Sequence, residues 1–136
     1  PKEQGEVEDN IGLGAHSDYE CFTILLPSST PGLEILSPDG DWHSAPRVEG
    51  GLIVNIGDFL MRWTNDMYKS TVHRVVNRMA ESRYSVPFFF SINYDQTVET
   101  LPKCITDQCP AKYPPISAGR YIWERLNDTK KEDAGY

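Results

Sequence analysis

The sequence predicts a mostly β fold, a double-stranded β-helix (jelly-roll) core closed by one carboxy-terminal helix. Short runs rich in β-branched and aromatic residues recur along the chain, at residues 21–26, 52–56, 73–76 and 83–92. Segments containing Pro and Gly divide these runs at the spacing of a sandwich or barrel of short strands. Near the end, residues 118–126 bring Tyr121, Ile122, Arg125 and Leu126 into i, i+4 register, the spacing of a helix that packs one face inward.

Each element follows from local chemistry. Residues 1–10 are polar and are expected in a loop. The strand at 21–26 is stopped by Pro27 and the Ser28-Ser29-Thr30-Pro31-Gly32 loop. Residues 33–36 and 42–45 form a hairpin around Ser37-Pro38-Asp39-Gly40, whose Pro and Gly suit a tight turn. Another strand runs over 52–56, and Gly57-Asp58 turns it into a short helical or irregular piece at 59–65. Strands at 73–76 and 83–92 follow, then a loop over 102–115 that holds several Pro residues and two Cys. Ser117 is placed to cap the final helix.

The 136 residues are enough for one domain that buries about two thirds of its unfolded surface. That domain is expected to span 1–126, with 127–136 as a polar tail; there is no internal repeat or interdomain linker. Thirteen basic and 20 acidic residues leave a net charge of −7, which argues against a nucleic-acid groove. No apolar run approaches the ~20 residues of a membrane span, and no basic-then-apolar signal opens the chain. Cys21, Cys104 and Cys109 are odd in number and have no zinc-like spacing, so reduced thiols in a cytoplasmic protein are expected, with Cys21 a small core residue.

The residues that carry chemistry are His16-Ser17-Asp18, His73 and Arg83-Tyr84-Ser85. Side chains two apart on an extended backbone point to the same side, so His16 and Asp18 can converge. Two imidazoles and one carboxylate on one side of an iron leave positions open for a chelating co-substrate and dioxygen. Arg83 and Ser85 are again two apart. Their guanidinium and hydroxyl suit a carboxylate, and if residues 77–82 reverse the chain they approach His73 across a hairpin. Singly, each residue has an ordinary alternative: a polar pair in a turn for His16 and Asp18, a strand histidine bonded to a carbonyl for His73, an ion pair for Arg83. The three signals together, in this order, favour the metal site. His43, without a partner at ligand spacing, is expected to bind no metal.

Longer words surround these residues: Gly12-Leu13-Gly14-Ala15-His16-Ser17-Asp18-Tyr19, Val54-Asn55-Ile56-Gly57-Asp58, Tyr68-Lys69-Ser70-Thr71-Val72-His73-Arg74-Val75 and Arg83-Tyr84-Ser85-Val86-Pro87-Phe88-Phe89-Phe90. Over roughly residues 11–126 the chain resembles the core of the isopenicillin N synthase-like 2-oxoglutarate-dependent dioxygenases. The resemblance implies Fe(II) on His16, Asp18 and His73, and contacts from Arg83 and Ser85 to the distal carboxylate of 2-oxoglutarate. Dioxygen would be the oxidant and ascorbate a candidate reductant. Phe89 would line the substrate pocket, against the alternative that residues 88–90 are simply a hydrophobic core strand.

Oxidation of a small molecule, by default hydroxylation, with release of succinate and carbon dioxide is the implied reaction. The partners expected are a small-molecule substrate, with no nucleic acid and no membrane. Two other readings stay open: a non-catalytic pseudoenzyme segment, and an oxidase of the same superfamily that does not use 2-oxoglutarate. Members of the family carry an amino-terminal region of helices and strands ahead of the H-x-D motif, and the fold here is expected to lack it.

Overall fold

The computed structural model describes residues 10–79 and 82–133. In chain order the elements are β1 (Asn10–His16), β2 (Phe22–Leu26), β3 (Leu33–Leu36), β4 (Trp42–Ser44), β5 (Ile53–Ile56), α1 (Asp58–Trp63), β6 (His73–Asn77), β7 (Val86–Phe90), β8 (Thr97–Val98), a 3-10 turn (Pro102–Cys104), β9 (Ile116–Ser117) and α2 (Ala118–Asp133). Of the expected loop at 1–10, residues 1–9 lie outside the described residues and Asn10 opens β1.

Two antiparallel sheets form the body, one ordered β1-β6-β3-β4 and the other β5-β2-β7, with β8 and β9 as a separate pair. Successive strands mostly cross between the sheets, the jelly-roll pattern the spacing predicts. A tight hairpin joins β3 to β4, with Leu36 opposite Trp42. Its turn closes through Gly40 N–H to the Ser37 carbonyl (3.0 Å), and Gly40 supplies the left-handed backbone, φ +91°. Inside this sheet Glu34 accepts from Arg74 Nε (2.8 Å) and from Arg78, and the Arg74 guanidinium lies over the Trp42 ring at 4.1 Å.

The expected hairpin bringing Arg83 beside His73 does not form. β6 lies between β1 and β3 and so has no free edge, whereas β7 pairs with β2 in the opposite sheet. Arg83 and Ser85 precede β7 in irregular chain instead of sharing a strand face. The other departures are at ends. β8 and β9 form a short ladder from residues without strand periodicity, and α2 runs seven residues beyond Leu126. No Pro or Gly intervenes before Gly135, so the helix continues through the polar residues expected as a tail. Ser117 caps it as expected, its Oγ accepting from Arg120 N–H at 3.3 Å.

The close-packed core is displaced from the space between the sheets. Cys21, Phe59, Val98 and Ala118 are buried together, with Phe22, Trp63, Ile92, Ile116, Tyr121 and Ile122 packed around them. This cluster is where α1, α2 and the β8-β9 pair meet the end of β2. Phe88, Phe89 and Phe90 are not part of it: β7 is an edge strand and all three are exposed. Phe88 and Phe90 sit opposite Ile24 and Phe22, with the Phe22 and Phe90 rings stacked at 4.7 Å.

α1 ends in a Schellman motif, with Asp66 N–H bonding the Met61 carbonyl (3.0 Å) and Asn65 N–H the Arg62 carbonyl (3.3 Å). Asn65 holds the left-handed position usually given to Gly, φ 52°. Its buried side chain then ties down the 104–112 loop, donating to the carbonyls of Cys104 (3.2 Å) and Pro110 (3.1 Å) and accepting from Lys112 N–H (3.0 Å). Among the described residues no helix is long and apolar enough to cross a membrane.

Candidate metal centre and co-substrate cavity

The space between the two sheets is a cavity of about 290 Å³ instead of a packed interior. Its walls come from β1, β3 and β6 on one side and β2, β5 and β7 on the other, and are largely aliphatic, with Leu13, Leu25, Leu33, Ile35, Ile53 and Val75 among them. His16, Asp18, His73, Arg83, Ser85 and Phe89 all line it. The six residues singled out from sequence therefore share one cavity, although the path that joins them is not the expected hairpin.

His16 ends β1 and His73 begins β6, and the ladder between these strands sets the two directly opposite each other. Their ring centroids are 4.3 Å apart. Asp18, in the turn after β1, places Oδ1 3.7 Å from His16 Nε2 and 3.6 Å from His73 Nε2. These separations are too long for direct hydrogen bonds and short enough for the three residues to hold one metal ion.

The tautomers suit that use. His16 Nδ1 lies 2.8 Å from the Gly14 carbonyl and His73 Nδ1 lies 3.1 Å from the Thr71 carbonyl. A carbonyl only accepts, so each Nδ1 carries the proton and each Nε2 keeps its lone pair. Asn55 Nδ2 also comes within 3.5 Å of His73 Nδ1, but two N–H groups facing each other do not bond. The Asn55 amide is directed instead at Asp18 Oδ2, 2.7 Å away, and Thr23 Oγ1 donates to the same oxygen at 2.5 Å. Asp18 Oδ1 is left facing the imidazoles.

The turn that carries Asp18 is fixed from behind. Gly57 packs so closely that a Cβ there would sit 2.1 Å from the Glu20 carbonyl oxygen. Backbone bonds run from Gly57 N–H to Cys21 (2.9 Å), from Asp58 N–H to Asp18 (2.8 Å) and from Phe59 N–H to Glu20 (3.1 Å). Between the two candidate ligands, Ser17 Oγ donates to buried Asp58, which also accepts from Tyr121 OH at 2.7 Å. Burial and the Asp58 hydrogen bond push the Tyr121 hydroxyl well up, so it remains a donor. Arg125 completes the group, 3.2 Å from Ser17 Oγ and with its guanidinium 5.0 Å above the Tyr19 ring. Thus α2 braces the turn that carries Asp18 from outside the sheets.

Farther along the cavity, Arg83 donates to Ser85 Oγ at 3.3 Å. Its Nε is buried without a partner among the described residues, and burial pushes the guanidinium pKa down. A partly desolvated guanidinium lining the cavity suits an anionic ligand. Gly32, at φ +150°, packs between the Val76 backbone and this side chain: a Cβ there would stand 2.8 Å from the Val76 carbonyl oxygen and 3.1 Å from Arg83 Nε. His43, by contrast, is exposed on β4, opposite Ile35.

Sequence reasoning missed Thr23, Asn55, Asp58 and Tyr121. One signal was present: Asn55 interrupts the apolar run at 52–56 at an inward-facing position. The contacts of the other three depend on packing between distant segments.

Residues 1–92 match the family model for the 2OG-Fe(II) oxygenase superfamily, and the chain belongs to that superfamily. It is 46% identical over 118 residues to the 2-oxoglutarate-Fe(II) type oxidoreductase hxnY of Emericella nidulans, covering 86% of this chain and 34% of that protein. It is 37% identical over 122 residues to a homoarginine-6-hydroxylase of Arabidopsis thaliana, covering 89% and 35%. Among solved structures, a full-length Neurospora crassa protein in complex with alpha-KG and thymine superposes with a TM-score of 0.79 at 37% identity, over 88% of this chain and 38% of that one. The chain thus spans a little over a third of the length of these relatives.

Proposed function

We propose that the protein is an Fe(II)- and 2-oxoglutarate-dependent dioxygenase that hydroxylates a small-molecule substrate, with release of succinate and carbon dioxide. The observation that carries this is the convergence of His16 Nε2, Asp18 Oδ1 and His73 Nε2 in a cavity that Arg83 and Ser85 also line. His16, Asp18 and His73 would hold the iron. Arg83 and Ser85 would take the distal carboxylate of 2-oxoglutarate through charge-assisted hydrogen bonds. When bound, iron with 2-oxoglutarate and dioxygen supplies the oxidising power; the side chains orient the reactants and exclude water.

A small substrate agrees with a cavity of about 290 Å³, near the lower end for small-molecule sites. It also agrees with a relative solved in complex with thymine and another named as a homoarginine hydroxylase. The apolar walls, with Phe89 among them, would receive a hydrophobic or planar part of that substrate.

The test is anaerobic titration of the protein with Fe(II) and 2-oxoglutarate, following the visible charge-transfer band of the chelate. The band should form in the wild type and be absent in His73→Ala. Arg83→Ala should need about a hundredfold more 2-oxoglutarate, the worth of a charge-assisted carboxylate contact. Equal bands in wild type and His73→Ala would overturn the metal assignment. Iron uptake without the band would point to an oxidase that does not use 2-oxoglutarate.

A further inference from the structure

We propose that Thr23 and Asn55 act together as positioning residues that confine Asp18 to binding metal through Oδ1 alone. This rests on the reading of His16, Asp18 and His73 as ligands. Thr23 and Asn55 are direct partners across the β2-β5 ladder, so two rigid strands present both donors at one point. Thr23 Oγ1 and the Asn55 amide both donate to Oδ2, at 2.5 and 2.7 Å, and not to Oδ1. Asp18 and Thr23 are buried, at 7% and 5% exposure, so water has little room to replace either donor. Oδ1 is the oxygen that lies 3.7 and 3.6 Å from the two imidazole Nε2 atoms.

The consequence concerns how many positions remain at the metal. An ion that took six ligands, three of them from His16, Asp18 and His73, would have three positions left for a chelating co-substrate and dioxygen. A carboxylate free to bind through both oxygens would take one of these. Occupying Oδ2 with two donors from the opposite sheet removes that option and also orients Oδ1. Without both donors, metal would still bind but the chelating co-substrate would have to displace an oxygen of Asp18.

Co(II) is a suitable probe because its visible absorption reports ligand number without turnover. Co(II) affinity and spectrum, and 2-oxoglutarate affinity of the Co(II) form, would be measured for wild type, Thr23→Ser, Thr23→Val and Thr23→Val/Asn55→Leu. Thr23→Ser keeps a hydroxyl and should match wild type. The double variant should still take up Co(II), with a changed spectrum and 2-oxoglutarate binding weakened by roughly tenfold or more, on the scale by which partners behind a ligand alter metal affinity or activity. Thr23→Val, which conserves shape, should lie between.

A double variant with wild-type spectrum and 2-oxoglutarate affinity would overturn the proposal. So would loss of cooperative unfolding in metal-free Thr23→Val, which would mark the pair as structural. Failure of the wild type to bind Co(II) would instead overturn the ligand assignment itself.

Discussion

Replacing Gly57 with Ala isolates the contact that holds the Asp18 turn against the start of α1. Gly57 has φ −100° and ψ 175°, a conformation alanine adopts freely, so the cost is steric. The new Cβ would stand 2.1 Å from the Glu20 carbonyl oxygen and 2.9 Å from its carbon, both backbone atoms that cannot rotate away. Relief requires the two segments to part by about 1 Å, enough to break the hydrogen bonds that Gly57, Asp58 and Phe59 make to Cys21, Asp18 and Glu20. At about 1 kcal/mol each, their loss amounts to roughly 3 kcal/mol.

Because one acceptor is the Asp18 carbonyl, metal binding should weaken as well. The assay is urea unfolding of the metal-free protein beside Co(II) titration. Gly14→Ala serves as control, since its Cβ would meet nothing within 4 Å, and should change stability by less than about 1 kcal/mol. If Gly57→Ala behaves like Gly14→Ala in both assays, the reasoning is refuted.

Asn65 offers a comparison of backbone against side chain: Asn65→Gly keeps the left-handed turn but loses three side-chain bonds to the 104–112 loop, predicting a loss of about 2–4 kcal/mol. Asn65→Ala should be worse by about 1 kcal/mol from backbone strain at φ 52°, and equal melting of the two variants would remove the conformational part of the account. Glu34 sets an acid limit, because hydrogen bonds and charge from Arg78 and Arg74 outweigh desolvation and hold its carboxyl below the ordinary 4.5. A lowered folded-state value means the pairing stabilises fully above about pH 4.5 and is lost as pH falls through the lower value. Stability of the wild type should therefore fall more steeply below about pH 4.5 than that of Glu34→Gln, and parallel acid-unfolding curves would count against the pair.

The strands were legible where local chemistry decides them: β2, β3, β4, β5 and β6 fall within a residue of the runs that predict them, and the Ser117 cap lies where its side chain belongs. The helix end was misplaced because polar residues without Pro or Gly continue a helix as readily as they end one. β8 and β9, two residues each, form only because α1 and α2 pack beside them, and two residues carry no period.

The sequence by itself singled out the candidate ligands and the candidate carboxylate-binding pair, because H-x-D, a distant strand histidine and R-x-S are local words whose chemistry does not depend on the path between them. Only the tertiary structure decided how they meet. The β1-β6 ladder faces His16 with His73, and the opposite sheet brings Arg83 and Ser85 to the same cavity from an edge strand. The β2-β5 register puts Thr23 and Asn55 on the far oxygen of Asp18, while α2 reaches back 63 residues to hold Asp58. Such contacts join segments far apart in the chain. Strand register is set by which faces must be buried against each other, and no local pattern records that choice.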